Sequence, residues 1–582
     1  MRTKPTGEFG GKVQATVGDN GQEELRAIIN TSIIDDTLAL KLFGTSIKND
    51  GHLYNAYLNT DGPKKDYTNY GASLLFTTDR FEALLTLETY DDGSDVGAWT
   101  NKNDATTVIC NVYDPLFPDG TPKTGAALGP VMAFNPEMHN TCESNDKTAS
   151  PTTYNTNSTN PGQFDTDAVT LNMSYELSDN SRLVYTGGYR DEEEDTYWEY
   201  DGTPMPWIWI EATNYYEQES HEIRYETVQD NYNLTVGAYF WDSTYHQDWI
   251  TRGSFWSTLV PPFLYEAMLV GAVGALRAEP GLENGLGPNY VQKLLQEQQT
   301  ESQAVFANLD YQVNDKVMLT FGIRYTEEEK TGYIKIPYIH AAAAAFGFGA
   351  PPLIEGLEFE DDNLSPEVAI NYYINEDTSI YVAYKIAFKS GGIDNSALPT
   401  ASINPLSPAF AGFDSLIYDS EEVDGFEIGL KSNLLDNNMR LNATYYKYEY
   451  TDLQVQLFDA AAIQFSTFNA GAVETEGFEA DVLWYTEIPG LTVRGQFAWS
   501  DATNTGDFIT PSGENLNGSK RSYSPEIAGS FGLSYDSSLS NGWRYNFSTD
   551  ARYSDDYGWG VYIDSPRQDS FWINDVALSL YS

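Results

Sequence analysis

Two cysteines, five histidines and 85 acidic residues are the side chains of this 582-residue chain best suited to chemistry. Cys110 and Cys142 are far too distant in sequence for a Cys-x-x-Cys redox pair. Both fall in one polar stretch, 92–164. In an oxidising compartment a disulfide there would close a long loop, an effect of ~2–4 kcal/mol. His52, His139, His221, His246 and His340 stand in no His-x-x-x-His or His/Cys pattern with metal-ligand spacing. They read as strand and loop histidines, and no bound metal is expected. No nucleophile elbow, P-loop or dinucleotide fingerprint is present. Carboxylate pairs are too frequent in so acidic a chain to mark a glycosidase. The chain therefore does not read as an enzyme, and no cofactor is implied.

Two other residue patterns remain. Acidic runs occur at "DDGSD" (91–95), "DEEED" (191–195) and "EEE" (327–329). Clustered carboxylates suit hard divalent cations, and they equally suit a solvated, highly hydrated rim. Aromatic residues crowd "YWEYDGTPMPWIWI" (197–210) and "YHQDWITRGSFW" (245–256). Exposed aromatics are costly unless they meet a ligand, lipid or another loop. Trp198, Trp207, Trp209 and Trp249 are the candidate ligand-facing residues. Flat rings suit aromatic chelators and sugar faces alike, and an interfacial girdle or loop core accounts for them as well.

Composition limits what positions these residues. The net charge is −52, from 33 basic and 85 acidic residues. That excludes general nucleic-acid binding and a basic membrane-surface helix. With 41 Tyr, 28 Phe and 12 Trp the chain is not disordered. No stretch reads as a transmembrane helix; the most apolar run, Ala267 to Leu276, is too short and follows Glu266. No signal peptide is visible, since Met1-Arg2-Thr3-Lys4-Pro5 leads straight into a strand pattern.

Alternating apolar and polar residues recur almost end to end. In "LTFGIRYTEEEK" (319–330), Leu319, Phe321, Ile323 and Tyr325 share one face, opposite Thr320, Gly322 and Arg324. About twenty strands are expected, at 7–18, 23–34, 37–48, 68–78, 80–91, 165–177, 182–193, 213–228, 231–244, 299–313, 316–330, 362–374, 378–389, 421–434, 439–456, 465–486, 491–502, 522–536, 543–554 and 569–581. Short polar turns such as Asp35-Asp36, Asn314-Asp315 and Asp436 to Asn438 alternate strictly with mostly long connections. A soluble propeller or solenoid would show a repeat of fixed period, and none is seen. Short turns on one side and long loops on the other mark an all-β transmembrane antiparallel barrel of a bacterial outer membrane. Helix is expected only in loops, mainly within 258–298 and near 341–349, beside the five alanines 341–345. On this scheme the acidic runs lie at the outer strand ends and form an extracellular rim, facing lipid and lipopolysaccharide phosphates. The loop holding Cys110 and Cys142 meets the oxidising cell surface, where the disulfide is expected.

Several blocks resemble TonB-dependent outer-membrane receptors: "PTGEFGGKVQATVGDNGQ" (5–22), "LTFGIRYTEEEK" (319–330), "NLSPEVAINYYINEDTSIYVAYKIAFKSGGID" (363–394), "EEVDGFEIGLKS" (421–432), "FNAGAVETEGFEADVLW" (468–484) and "YSPEIAGSFGLSY" (523–535). The resemblance implies a plug domain inside a barrel of about 22 strands. It also implies energy relayed from a TonB-ExbB-ExbD system through an N-terminal TonB box, and import of a scarce nutrient, most often a ferric siderophore. Against that pattern, residues 1–6 resemble the end of the plug and its junction, and 7–582 the barrel, about two strands short at its C-terminal end. The expected function is active outer-membrane transport of ferric siderophores. An oligosaccharide, cobalamin or other large nutrient, a passive porin-like barrel and a structural or adhesive surface barrel are the alternatives. Without plug and TonB box this polypeptide by itself is expected to give no energised transport, and strands 7–18 and 569–581 are expected to meet poorly paired at a seam.

Overall fold

The structure is a computed structural model that describes residues 3–98, 150, 152–202, 204, 208–253, 290–339, 353–394, 412–459, 464–506, 508–510, 513–560 and 565–581. Among them, 20 strands form one antiparallel sheet. They are β1 (Gly10–Val17), β2 (Glu23–Ile34), β3 (Leu38–Asn49), β4 (Lys65–Thr77), β5 (Phe81–Asp92), β6 (Gly162–Ser178), β7 (Ser181–Glu199), β8 (Trp209–Val228), β9 (Tyr232–Arg252) and β10 (Tyr290–Asn314). The rest are β11 (Val317–Ile339), β12 (Leu353–Asn375), β13 (Thr378–Lys389), β14 (Glu421–Leu434), β15 (Met439–Thr451), β16 (Ala472–Tyr485), β17 (Leu491–Thr505), β18 (Ile527–Ser538), β19 (Arg544–Ser554) and β20 (Phe571–Tyr581). Each of the twenty pairs with the next in the chain, an up-and-down meander. Among the described residues β1 ladders only with β2, and β20 only with β19. No ladder joins the two edge strands.

The register explains why the sheet has two unlike faces. Phe321 pairs with Leu309 on one side and Val368 on the other, and Val382 pairs with Ile370 and Ile428. The apolar positions of neighbouring strands therefore line up in one continuous belt. Val305, Phe321, Ile323, Leu364, Val368, Ile370, Val382, Phe426 and Ile428 are each more than 40% exposed. No protein layer covers so large an apolar surface, and lipid is the solvent that suits it. The opposite face is polar: Lys385 lies 3.8 Å from Glu367 and 3.9 Å from Glu427, and Arg494 lies 2.6 Å from Asp550. A slip of one residue would exchange the two faces, so the pattern pins the register.

Short turns close one end of the sheet. Between β14 and β15 the chain turns through Leu435, Asp436 and Asn437, all with positive φ (53°, 54° and 66°). Asp and Asn tolerate that conformation better than most residues. At Gly490 (φ 83°) an added Cβ would lie 1.9 Å from the Asp536 carbonyl oxygen, so only glycine fits.

Several strands depart from their expected limits. β10, β11 and β12 begin or end well beyond 299–313, 316–330 and 362–374. Above the bilayer both sheet faces meet water, so the period-two signal fades while the backbone ladder continues. For the same reason residues 290–298, expected to be helical, form the start of β10. The other expected loop helices, in 258–289 and near 341–349, lie outside the described residues. The expected strands 439–456 and 465–486 are each broken. After Asp452 (φ 51°) the chain leaves β15 for a loop hairpin, Gln454–Asp459 with Gln464–Asn469, and it enters β16 only after Gly471 (φ 43°). One 3-10 turn, Phe413–Leu416, is the only helical element among the described residues.

Candidate functional site

The outer boundary of the membrane is written on the lipid-facing surface. Just above the apolar belt, Tyr189, Tyr325, Tyr384 and Tyr445 each donate a phenolic hydrogen bond of 3.0 Å to a carboxylate, respectively Glu217, Glu327, Asp424 and Glu476. Tyrosine places its ring in the interface and its hydroxyl in water. Above these pairs the same face carries Asp191, Glu193, Asp195, Glu329 and Glu360, which hydrocarbon would not tolerate. Below Tyr325 the apolar stretch of β11 covers about nine residues, the length a tilted strand needs to cross a bilayer. "DEEED" and "EEE" therefore sit within β7 and β11, not at strand ends as expected. The strands run on past them as an extracellular wall. Alternation splits each run between the faces, so the acids do not converge. Among the described residues no group of three or more His, Cys, Asp or Glu side chains could hold a metal ion.

The inner surface of that wall is the candidate site. Trp198 of β7 and Trp249 of β9 face inward and meet edge to face, ring centroids 6.4 Å apart. Ile210 and Ala212, their register partners on the intervening β8, are buried. Lower on the same face a polar network runs sideways. Asn214 donates to Glu194 at 2.8 Å and accepts from Tyr245 at 3.1 Å and Gln247 at 3.0 Å. Burial, assisted by the negative charge of Glu194, pushes the Tyr245 hydroxyl up to about 12. Gln296 of β10, the register partner of Gln247, is 2% exposed, and among the described residues neither of its amide atoms has a hydrogen-bond partner. Trp198 Nε1 is also buried with no partner among the described residues, whereas Trp249 Nε1 donates to Thr251 Oγ1 at 3.0 Å. Orphaned buried polar groups cost ~1–3 kcal/mol each, so these two side chains stand out along the wall.

Folded loops frame the wall. Leu294, Ile334, Ile336, Ile354 and Leu357 form a buried cluster with Ile393 and Leu416 of an in-folded loop, and Trp249 and Phe413 pack against it. A second cluster joins Leu453, Val455 and Leu457 of the loop hairpin to Val473, Phe508 and Leu516. The two are tied together: Asp394 accepts from the Thr467 N–H at 2.9 Å, and the Gln454 amide donates to the Ser390 and Asp419 carbonyls at 2.9 and 3.1 Å. Lys330, on the inner face of β11, donates to the Ser390 hydroxyl at 3.1 Å. Further round, Glu199 is 1% exposed. Its carboxyl accepts backbone N–H groups of Asp201 and Gly202, at 2.9 and 3.0 Å, and its own N–H donates to Asn160. Burial first, then the nearby charge of Asp201, push Glu199 up to about 9.

Residues 66–581 match the family described as TonB dependent receptor-like, beta-barrel. The chain belongs to the TonB-dependent receptor β-barrel family. It is thus an outer-membrane transport barrel and not an enzyme, and membership implies a TonB energising partner and a nutrient ligand in general. No curated protein matches the sequence. Among solved structures, the chain is similar to the ferric yersiniabactin uptake receptor FyuA from Yersinia pestis, with TM-score 0.69 and 14% identity over 99% of this chain and 73% of that one. It is similar to the siderophore receptor PiuA from Acinetobacter baumannii, with TM-score 0.65 and 14% identity over 99% and 76%. It is also similar to the copper transporter OprC, with TM-score 0.64 and 12% identity over 99% and 72%. At such identities the likeness shows the fold alone.

Of the four tryptophans singled out from sequence, the receptor barrel brings two together, Trp198 and Trp249. Trp209 lies on the outer face of the wall, where it stacks on Tyr197 at 6.5 Å and donates to Glu211 at 3.3 Å. Trp207, Cys110 and Cys142 lie outside the described residues. Gln296 escaped sequence reading. A glutamine among glutamines carries no signal, and its importance comes from its lack of a partner.

Proposed function

We propose that this chain forms the barrel of an energised outer-membrane receptor for a ferric siderophore. The observation that carries the reading is the inward-facing Trp198–Trp249 pair above the lumen of a TonB-dependent receptor barrel. With it go the Trp198 Nε1 and the Gln296 amide, which have no hydrogen-bond partner among the described residues. Flat rings with nearby donors and acceptors suit a chelate that presents aromatic or amide groups around a metal. Likeness to a ferric yersiniabactin uptake receptor and to a siderophore receptor supports the same cargo class. The working partner would be a TonB-ExbB-ExbD complex, and the barrel would sit among lipopolysaccharide.

The test is uptake in the native organism. Deletion of the gene should abolish accumulation of radioactive iron from at least one ferric siderophore in a panel. Restoring the gene should recover it, and a protonophore should block the recovered uptake. Unchanged iron uptake across the panel rejects the iron reading. Loss of uptake of an oligosaccharide or cobalamin would then reassign the cargo, and recovered uptake that ignores the protonophore would mark a passive pore.

A further inference from the structure

We propose that a cavity at the extracellular mouth of the lumen, lined by Arg521, is an oxyanion site that takes a carboxylate or phosphate group of a ligand. The local sequence is "NGSKRSYSPE", 517–526. Ser519 to Arg521 runs beside the end of β17. Lys520 bridges Thr503, the Arg521 N–H donates to the Ala502 carbonyl at 2.9 Å, and the Asn504 N–H donates to the Ser519 carbonyl at 2.9 Å. Strand alternation then sends the two cations to opposite faces. Lys520 goes outward and meets Asp501 at 2.7 Å. Arg521 goes inward, where Nη1 donates to Asn504 Oδ1 at 3.3 Å.

That contact occupies one of five guanidinium N–H donors. Among the described residues Arg521 makes no ion pair. The acid that influences it is Glu421, whose Oε2 is held by the Gln454 N–H at 2.8 Å. Burial outweighs that influence and holds the guanidinium below its ordinary range. In a chain of net charge −52, Arg521 is half-buried with open donors and, among the described residues, no carboxylate within ion-pair distance.

The cavity is about 290 Å³ and is also lined by Ser500, Ser519, Ser522 and Arg567. Lys520 and three acids, Glu526, Asp555 and Asp556, line it too, and each has a partner of its own. Asp555 accepts from Tyr553 at 3.2 Å and from the Asp556 N–H at 3.0 Å, and Glu526 accepts from Trp499 at 3.4 Å. Arg567 is paired with Asp556 at 2.6 Å. With Lys520 paired to Asp501 and Arg567 to Asp556, Arg521 is the lining cation left to bind, its planar fork matched to two oxygens of one anion. The volume is at the low end of ligand sites, ~300–1,000 Å³, so it holds one oxyanion-bearing arm or a small polycarboxylate, not a whole ferric chelate.

The biological ligand rests on the receptor reading; anion binding by the protein in detergent does not. The purified receptor is treated with an arginine-selective dicarbonyl, and modification of Arg521 is followed by mass spectrometry with no addition, with citrate and with inorganic phosphate. Protection by citrate assigns a carboxylate, and protection by phosphate alone assigns a phosphate. No protection by either overturns the site. Arg521→Gln should weaken binding of the protecting anion by roughly tenfold to a hundredfold. Arg567→Gln, which removes a cation already paired, should change it by less than about threefold. Equal weakening in both variants would reduce the effect to general charge and overturn the proposal. Siderophore uptake that survives Arg521 substitution without anion protection would leave the receptor reading standing and remove only this site.

Discussion

Trp198 and Trp249 act as a pair because their strands bring inward positions to the same height across β8. If they hold the cargo, Trp198→Ala and Trp249→Ala should each cost about 2 kcal/mol, roughly a thirtyfold loss of affinity, while heat-modifiable migration on gels shows an intact barrel. Trp209→Ala, on the outer face, should leave affinity within about twofold. Equal losses at all three positions would mean that the wall as a whole, not the pair, is being read. Glu199 offers a pH test. Its folded value of about 9 lies above the ordinary 4.5, so the folded loop retains a proton that the unfolded loop loses. The resulting stability is fully present below about pH 4.5 and drains away as pH rises through about 9. Limited proteolysis around 199–202 should therefore be faster at pH 9 than at pH 6. Glu199→Gln, which cannot ionise, should cut at the same rate at both.

At the scale of the strand, the two faces of β11 make opposite demands. Phe321 lies in the lipid-facing belt, and Thr320 points into the lumen, where its hydroxyl donates to Asp310 at 2.7 Å. Phe321→Arg should destabilise the barrel by about 2–4 kcal/mol, because it sets a charge near the middle of the bilayer. Thr320→Lys, one residue away and beside an acid, should cost less than about 1 kcal/mol. Urea titration of the protein folded into vesicles measures both. Similar losses would mean that the two faces are assigned wrongly. Higher on the same strands the limits of sequence reading show. The expected end of β11 at residue 330 is the point where the alternation stops separating lipid from water, yet the ladder with β10 continues to Ile339.

Across the molecule the charge is lopsided: 85 acidic against 33 basic residues. Much of this charge lies on the extracellular wall, on both faces of the sheet and within a few strand spacings. Self-repulsion should therefore outweigh the exposed ion pairs, which contribute ~0–1 kcal/mol each. Raising salt from about 10 mM to 150 mM shortens the screening length from about 30 Å to 8 Å. The unfolding temperature of the detergent-solubilised barrel should rise over that range. A fall would mean that paired charges such as Arg494–Asp550 dominate. The outer edges of β1 and β20, which no ladder joins among the described residues, are the remaining feature at this scale, since exposed backbone groups in hydrocarbon cost several kcal/mol each.

The sequence by itself determined the all-β barrel class, the order of its strands and the apolar and polar faces of its membrane-crossing stretches. Each of these is local: a period of two within one strand, or an Asp or Asn where a tight turn needs positive φ. It also determined that Trp198 and Trp249 stood where exposed aromatics need a reason. Only the tertiary structure decided that these two meet while Trp209 turns away, because facing depends on the parity of residues in three different strands. It decided that the acidic runs lie within strands and split between faces, since the ladder persists where alternation no longer reports on it. It alone shows that, among the described residues, the Gln296 amide has no hydrogen-bond partner and Arg521 no ion-pair partner. Whether a polar group is satisfied depends on everything around it, and residues distant in sequence supply those surroundings.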